Sequence, residues 1–196
     1  MKLEKIAVAT GNEHKIAEIR SLLSPFGLIV TGLPAGGEMP AETGSEFREN
    51  ARIKAQYGFE LTGLPALADD SGLEVDALQG APGVHSARYA GEGAGDAANN
   101  IKLLQALEGS GNRRARFRCS IVLVMEDMII EADGTCEGQI LDATRGKGGF
   151  GYDPLFWLPE LGKTMAEISS QEKNLISHRG RAMANLVAAL KARGLL

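Results

Sequence analysis

The sequence contains few cysteines and few aromatic residues. Cys119 and Cys136 are its only cysteines, and neither belongs to a Cys-x-x-Cys pair or a cluster with histidine, which excludes a zinc ribbon and a disulfide scaffold. We therefore expect two reduced, partly buried thiols and a cytoplasmic location. Because aromatic residues make up only 5% of the chain, an aromatic side chain among polar motifs is a candidate for ligand binding.

Long apolar runs and an excess of basic charge are also missing. No apolar run approaches the ~18–20 residues that span a membrane. Twenty-one Lys and Arg against 25 Asp and Glu give a net charge of −4, which disfavours a general nucleic-acid binder. Arg114, Arg116 and Arg118 alternate with smaller or apolar residues, as in any strand with one solvated face. We therefore expect neither nucleic acid nor a membrane among the partners.

The length and the apolar content predict a globular protein of the α/β class. A chain of 196 residues, 44% of them hydrophobic, can bury a large core without disulfides. A strand at Lys5–Thr10, a helix at residues 14–24 and a strand at Leu28–Leu33 open the chain in β-α-β order. An antiparallel pair is predicted at Arg114–Met125 and Met128–Ile140. Strands mixed with crossover helices predict a mixed sheet.

The other predicted segments fit this class. They are a loop at Pro34–Pro40, a helix from a capping box at Thr43–Glu46 to Leu61, short strands at Ala66–Asp69 and Leu73–Leu78 around a turn at Asp70–Gly72, a loop at Gln79–Gly95, a helix at Asp96–Leu107, a glycine-rich loop at Asp142–Pro154, and helices beginning at Ser169 and Ser177. Loops as long as the one over residues 79–95 are usually functional.

Small and polar residues, Thr10-Gly-Asn-Glu-His-Lys15, connect the first predicted strand to the first predicted helix. Such residues leave backbone N–H groups available, and the dipole of the following helix favours an anion there. Lys15 adds a positive charge one turn into the helix. Because the segment lacks the Walker A pattern, it predicts either a phosphate-binding turn or an ordinary strand-to-helix turn with an exposed lysine.

Acidic residues of chemical interest occur at two places. Asp69 and Asp70 directly follow a buried strand, and adjacent carboxylates repel each other unless a cation or a proton compensates for their charge. Since Mg²⁺ favours one or two carboxylates together with substrate phosphates, the pair predicts a magnesium site or, equally, an Asx turn. Glu42 precedes a helix on which Asn50 and Lys54 lie one turn apart, and this pattern also fits a solvated helix face.

Two segments nearer the C-terminus are candidates for contacting a base. Gly146–Trp157 formally contains Gly-x-Gly-x-x-Gly, but Pro154 follows where a dinucleotide-binding motif needs a helix. Phe150, flanked by two glycines, predicts a ring that stacks on a base or one that fills the core. Lys173 and Ser177-His178-Arg179 lie at the start of a predicted helix and suit an anion or a polar ring.

Together these motifs indicate a phosphorylated nucleotide, and in their order they resemble the Ham1-like inosine/xanthosine triphosphate pyrophosphatases. The resemblance runs from end to end. It rests on Thr10–Asn12, Glu42–Ala51 with Lys54, Ala68–Gly72, Gly83–Tyr89, Gly149–Pro154 and Ser177–Arg179. It implies a single catalytic domain over residues 1–196, with two lobes around a long, mixed, twisted sheet flanked by helices, an active-site cleft between the lobes, and a homodimer.

The same resemblance implies Mg²⁺-dependent hydrolysis of ITP, dITP and XTP to the monophosphate and diphosphate. Asp70 would be the proton acceptor and a Mg²⁺ ligand, with Glu42 as a second ligand. The substrate would contact Thr10, Gly11, Asn12, Glu13, His14, Lys15, Lys54, Ser71, Phe150, Gly151, Tyr152, Asp153, Lys173, His178 and Arg179. A Maf-like nucleotide pyrophosphatase acting on other modified bases is the alternative. A non-catalytic nucleotide sensor is disfavoured, since it has no need of Asp69 beside Asp70.

Overall fold

The computed structural model describes residues 2–34 and 38–196. Its strands form one seven-stranded sheet in the order β2-β1-β3-β4-β5-β6-β7. The strands are β1 (Lys5–Val8), β2 (Ile29–Gly32), β3 (Ala66–Val75), β4 (Arg114–Met125), β5 (Met128–Ile140), β6 (Phe156–Leu158) and β7 (Lys163–Thr164). Strand β1 is parallel to β2 and β3, whereas β6 is antiparallel to β5 and β7. The predicted mixed sheet is confirmed.

Five α-helices occur within the described residues. They are α1 (Glu13–Leu23), α2 (Phe47–Thr62), α3 (Asp96–Ala106), α4 (Ser170–Ile176) and α5 (His178–Ala192). Short 3₁₀ helices lie at Ser24–Phe26, Asp76–Leu78, Gly83–Arg88 and Met165–Glu167. The predicted helices near residues 14–24 and 96–107 are therefore confirmed. None of the described helices is long and apolar enough to cross a membrane.

Three predicted segments need correction or comment. The chain over residues 79–95 is not a plain loop, since it contains the 3₁₀ helix Gly83–Arg88. The capping box of α2 was predicted too early, because the carboxylate of Glu49 accepts from the backbone N–H groups of Ser45 (2.7 Å) and Glu46 (3.2 Å), and the helix begins only at Phe47. Within the predicted loop at Pro34–Pro40, residues 35–37 lie outside the described residues.

The described chain divides into two compact units. The first unit comprises the residues up to Asp70, Cys119–Gly134 and Arg179–Leu196. The second unit comprises Ser71–Arg118 and Thr135–His178. Strands β3, β4 and β5 each supply residues to both units, because the divisions fall inside these strands. That residues 1–196 act as a single domain stays a prediction.

The core of the first unit brings α2 close to β1. Helix α1 buries Ile16, Ile19 and Leu23, a helical spacing, in a cluster with apolar residues of β1 and α5. A second cluster consists of small residues at Ala9, Ala51, Ala55 and Ala68 with Val122 and Val124. At Gly58 of α2 an added Cβ would come within 2.9 Å of the Cβ of Ala9. This close approach carries the polar face of α2, with Asn50 and Lys54, to Asp70 in the middle of β3.

The core of the second unit supports the C-terminal loops. Its buried cluster includes Leu73 of β3, Leu103 of α3 and Phe117 of β4, together with Tyr152 and Phe156. The ring centroids of Phe117 and Phe156 are 4.5 Å apart at an interplanar angle of 40°, a favourable tilted arrangement. The packing of Tyr152 and Phe156 in this cluster thus fixes the segment over residues 150–156.

The predicted turn at Asp70–Gly72 is wrong, because β3 runs without interruption from Ala66 to Val75. Asp69 and Asp70 are both buried inside this strand. A carboxylate is tolerated there only when cations pair with it. The cations come from other parts of the chain, and no local sequence pattern displays them.

Candidate functional site

Asp70 lies in a cluster with buried Lys54 and half-buried Glu42 in the first unit. The ammonium Nζ of Lys54 is 2.7 Å from Oδ1 of Asp70 and 2.7 Å from Oε1 of Glu42. The side-chain amide of Asn50 donates to Oδ2 of Asp70 at 3.3 Å. Asn50 and Lys54 lie one turn apart on α2, so the predicted shared face is confirmed, and it faces a carboxylate rather than solvent.

Burial sets the protonation behaviour of this cluster. Burial raises the pKa of Asp70 above its ordinary value, against the opposing effect of Lys54. Burial alone would lower the pKa of Lys54, but the charges of Asp70, Asp69 and Glu42 outweigh it, and the pKa of Lys54 is raised. The cluster therefore combines a lysine that keeps its positive charge with a carboxylate that is a stronger proton acceptor than usual.

Asp69 has surroundings of a different kind. Its Oδ2 accepts from Nη2 (2.8 Å) and Nε (3.1 Å) of Arg179, and its Oδ1 lies 3.2 Å from Nζ of Lys15. Burial alone would raise the pKa of Asp69, but Arg179 and Lys15 hold it well below its usual range. Arg179 is itself 1% exposed and also donates to Glu18. Asp69 thus holds the charged groups of Arg179 and Lys15 in place. Direct contact of Arg179 with a substrate stays a prediction.

The turn between β1 and α1 differs in detail from the sequence expectation. Oδ1 of Asn12 accepts from the backbone N–H groups of His14 (2.9 Å) and Lys15 (3.2 Å). The side chain of Asn12 thus caps the helix, and these two N–H groups are not available to an anion. The N–H group of Asn12 donates to Oγ1 of Thr10 at 3.1 Å. Gly11 and Glu13 are exposed. Phosphate binding by this turn stays a prediction and rests mainly on Lys15.

In the second unit, Lys173, Asp153 and Phe150 are in mutual contact. Nζ of Lys173 is 2.7 Å from Oδ2 of Asp153 and 4.6 Å from the centroid of the Phe150 ring. The same Oδ2 accepts from the backbone N–H of Phe150 at 2.9 Å. Gly149 has a φ of +71°, and a Cβ there would come within 2.1 Å of Oδ2 of Asp153, so only glycine fits. Phe150 therefore lies beside a buried charge pair rather than in the core.

His178 and Ser71 complete the predicted residues of the second unit. The imidazole of His178 is buried and stacks on Phe117, with ring centroids 4.8 Å apart and an interplanar angle of 18°. Ser71 follows Asp70 on β3 and is half-buried. Tyr152 is buried, and its hydroxyl donates to the backbone carbonyl of Ser86 at 2.8 Å. Burial raises the pKa of Tyr152, so its hydroxyl remains protonated.

The sequence interpretation missed the residues that hold these groups in place. Glu18 binds Arg179 in the first unit. In the second unit, Asp96 and Asn100 bind the backbone of Gly151. The spacing of residues 96 and 100 on one face of a predicted helix was the available signal, but nothing local identified Gly151 as their partner.

The residues present fit a magnesium ion bound together with phosphates. Glu42 and Asp70 supply two carboxylates close to each other, since each has an oxygen 2.7 Å from the ammonium of Lys54. Carboxylate oxygens are the hard ligands that Mg²⁺ prefers, and it usually takes one or two of them with substrate phosphates. No group of three or more His, Cys, Asp or Glu side chains suited to a metal occurs in the described part of the chain. The described side chains therefore do not form a complete set of ligands for the ion, and substrate phosphates would supply the others.

Both cysteines are free and buried, as expected. Burial raises the pKa of the Cys119 thiol, with the neighbouring Asp69 acting in the same direction. This thiol is thus protonated and unreactive.

Comparison with known proteins places the chain in a family. A family model described as the Ham1 family matches residues 6–189. The Nitrosomonas europaea protein named dITP/XTP pyrophosphatase is 52% identical over 194 residues, covering 96% of this chain and 95% of the relative. A Desulforamulus reducens protein of the same name is 51% identical over 187 residues, covering 91% and 92%.

Solved structures agree with the sequence relatives. The Staphylococcus aureus Ham1 protein has a TM-score of 0.86 at 42% identity, and the match covers 97% of this chain and 100% of that chain. A HAM1 protein from Coxiella burnetii gives the same TM-score and coverage at 44% identity. The chain therefore belongs to the Ham1 family, as the resemblance of its motifs predicted.

Proposed function

We propose that the protein hydrolyses non-canonical purine nucleoside triphosphates, namely ITP, dITP and XTP, to the nucleoside monophosphate and diphosphate. The observation that carries the proposal is the buried carboxylate of Asp70, raised in pKa and 2.7 Å from the ammonium of Lys54. Relatives about half identical to this chain are named dITP/XTP pyrophosphatases. The reaction would remove deaminated purines from the nucleotide pool.

Asp70 would act as the general base. It would accept a proton from water as the water oxygen bonds to the α-phosphorus, and the bond from that phosphorus to the oxygen bridging to the β-phosphorus would break, releasing diphosphate. Lys54 and Lys15 would supply positive charge to the triphosphate, where charge develops in the transition state. Asp69 would hold Lys15 in place through the contact at 3.2 Å. No covalent intermediate is needed.

Glu42 and Asp70 would hold a magnesium ion. When bound, the ion would neutralise phosphate charge and polarise the reacting phosphoryl group. The ammonium of Lys54 lies between the two carboxylates and compensates their negative charge.

The base would be recognised by the groups around Lys173. A protonated lysine has three hydrogen-bond donors and no acceptor, so it can donate to the six-oxo group of hypoxanthine or xanthine but cannot accept from the amino group of adenine. The ring of Phe150 offers a flat surface to a purine, and His178 provides a further polar edge. GTP also carries a six-oxo group, so its exclusion needs another contact.

A product assay tests the proposal. ITP, XTP, dITP, GTP and ATP are each incubated with the protein and Mg²⁺, and the monophosphate, diphosphate and inorganic phosphate are measured. We expect monophosphate and diphosphate from the first three substrates at rates far above those for ATP. Release of inorganic phosphate, or equal rates on all five nucleotides, would contradict the proposal. Selective hydrolysis of triphosphates with other modified bases would favour the Maf-like alternative.

The family resemblance also leads us to propose a homodimer and a cytoplasmic location. Light scattering coupled to size-exclusion chromatography tests the dimer, because a protomer of 20.8 kDa and a dimer are readily resolved. A monomer at micromolar concentration would contradict it.

A further inference from the structure

Helix α3 holds both polar groups of a single peptide residue in the candidate base-binding loop. Oδ2 of Asp96 accepts from the N–H of Gly151 at 2.6 Å. The side-chain Nδ2 of Asn100 donates to the carbonyl of the same glycine at 3.0 Å. Asp96 and Asn100 lie one turn apart on α3, which aligns them along one face. Gly151 has a φ of +63°, so the loop there adopts a conformation that few side chains tolerate.

Gly151 is adjacent to the groups proposed to bind the base. The preceding residue, Phe150, presents its ring to Lys173 and its N–H to Asp153. The following residue, Tyr152, is anchored separately through its hydroxyl on the carbonyl of Ser86. On the C-terminal side of Phe150, the two contacts of Gly151 with α3 act together with a hydrogen bond from the N–H of Asp153 to the carbonyl of Phe150 at 3.2 Å.

The same helix turn also anchors a second segment. Oδ1 of Asn99 accepts from the N–H of Ala90 at 2.7 Å, and its Nδ2 donates to the carbonyl of Ala87 at 3.2 Å. The contact with Gly151 is thus separate from the contacts that support the neighbouring chain. Substitution of Asp96 or Asn100 leaves those contacts of Asn99 in place.

The buried side chain of Asn100 is unfavourable for the stability of the fold. Its side chain is buried, and its Oδ1 has no hydrogen-bond partner among the residues that the structure describes. A buried carbonyl oxygen without a partner destabilises a protein, so an apolar residue of similar size would serve packing better. The contact with Gly151 offers a reason for an amide at this position.

We propose that Asp96 and Asn100 are positioning residues for base recognition, which hold Gly151 at its N–H and its carbonyl and so fix the Phe150 ring beside Lys173. This inference rests on the proposed function, since it assigns the loop over residues 150–153 to the base. Neither residue is proposed to touch the substrate. Their loss should weaken substrate binding and leave the chemical step unchanged.

Two nearly isosteric exchanges with opposite expected results test the proposal. Asp96→Asn keeps an oxygen that can accept from Gly151 and should behave like the wild type. Asn100→Leu replaces the donating amide by an apolar group of similar size, which cannot donate to the Gly151 carbonyl and should release the loop. Asp96→Ala should also release it. Gln105→Ala, an exposed change on the same helix, serves as the control.

The readouts are amide hydrogen exchange at Gly151 and steady-state kinetics with ITP. In Asp96→Ala and Asn100→Leu we expect Gly151 to exchange roughly tenfold faster or more, and KM to rise by a similar factor, because one charge-assisted or buried hydrogen bond is lost. The value of kcat should stay within about twofold, as for a loss of uniform binding. Asp96→Asn and Gln105→Ala should match the wild type in both readouts.

The outcomes separate this proposal from the proposed function. Unchanged Gly151 exchange, or unchanged KM with faster exchange, would overturn the positioning role even if ITP is hydrolysed. Equal losses in Asp96→Asn and Asp96→Ala would also overturn it, since an acceptor at residue 96 would then be irrelevant. A wild type that fails to hydrolyse ITP would refute the proposed function, and with it the assignment of the loop to a base. If Asp96→Ala does not fold, the comparison of Asn100→Leu with Asp96→Asn and the wild type still tests the positioning role.

Discussion

The ammonium of Lys54 lies 2.7 Å from Oδ1 of Asp70, and both side chains are buried. Such an ion pair costs desolvation energy that the attraction between its charges offsets only in part, so it is a poor means of stabilising a fold. It does provide a carboxylate of raised pKa beside a permanent positive charge. Those are the properties that proton removal from water next to a polyphosphate requires.

Replacing Asp70 by asparagine should lower kcat/KM for ITP by ~10²–10⁴-fold, the usual effect of losing a general base. The protein should still fold, because Lys54 keeps its contact with Glu42 at 2.7 Å. Kinetics together with circular-dichroism melting test both expectations. Asp76→Asn, which changes a carboxylate paired with Arg116, should leave the activity unchanged. Turnover of Asp70→Asn within a few-fold of the wild type would exclude Asp70 as the base.

The sequence predicted the elements and the local motifs well, because these depend on neighbours in the chain. The start of α4 is an example, since the helix predicted to begin at Ser169 is capped by that residue, whose hydroxyl accepts from the N–H of Glu172 at 3.2 Å. The uninterrupted course of β3 was not predictable in this way. Asp69 is tolerated inside a strand because Arg179, 110 residues further along the chain, neutralises it. A carboxylate pair without visible partners is typical of a turn, and only the fold supplies the partners.

The candidate site shows the same limit. The shared face of Asn50 and Lys54 follows from helix geometry and was predicted. The contact between Asn100 and Gly151 spans 51 residues and joins a helix to a loop. Neither residue belongs to a motif that reveals the other, so this part of the site emerged only from the structure.

Asp69→Asn should make the free energy of unfolding depend less on pH in the acid range. Burial alone would raise the pKa of Asp69, but Arg179 and Lys15 hold it well below its usual range. A carboxyl group whose pKa is lower in the folded than in the unfolded state stabilises the protein above the unfolded pKa, near 3.9, and this contribution is lost as the pH falls. The free energy of unfolding of the wild type should thus decline from about pH 5 downwards.

The free energy of unfolding of Asp69→Asn should be lower than that of the wild type at pH 7 and should decline less as the pH falls. At pH 7 the variant should lose about 1–3 kcal/mol, because the buried guanidinium of Arg179 exchanges a charged acceptor for a neutral one and keeps Glu18 as its remaining carboxylate partner. Urea unfolding at pH 7, 5, 4 and 3 measures both quantities, with Asp127→Asn, an exposed change, as the control. Parallel curves for the wild type and Asp69→Asn would show that Asp69 does not carry the acid sensitivity.

Removal of divalent cations should abolish hydrolysis of ITP, and Mg²⁺ should restore it. Glu42 and Asp70 offer only carboxylate oxygens, which suit Mg²⁺ and not the softer metals that prefer thiolate or imidazole. The assay compares protein treated with EDTA and dialysed, before and after addition of MgCl₂ or ZnCl₂. Circular dichroism of the metal-free protein should be unchanged, because the described residues contain no group of three or more side chains suited to hold a structural metal. Full activity after exhaustive chelation would remove the metal from the mechanism.

Lys173→Met should lower kcat/KM for ITP far more than for ATP. Lys173 is buried beside Phe150 and Asp153, so a base that it binds is largely desolvated. The ammonium can donate to the six-oxo group of hypoxanthine, whereas the amino group of adenine leaves both donors without an acceptor. Mispairing of that kind costs several powers of ten in kcat/KM, so removing the lysine takes away the advantage of ITP and little from ATP.

The comparison of two substrates separates base recognition from a loss of stability, because a partly unfolded enzyme loses activity on both in proportion. Lys163→Met, a change at an exposed lysine, controls for the loss of a positive charge. Melting curves identify any effect of leaving Asp153 buried without its ammonium partner, which lies 2.7 Å away in the wild type. Equal proportional losses on ITP and ATP would place Lys173 outside base recognition. That role would then pass to His178, since the guanidinium of Arg179 is buried on Asp69 and Glu18.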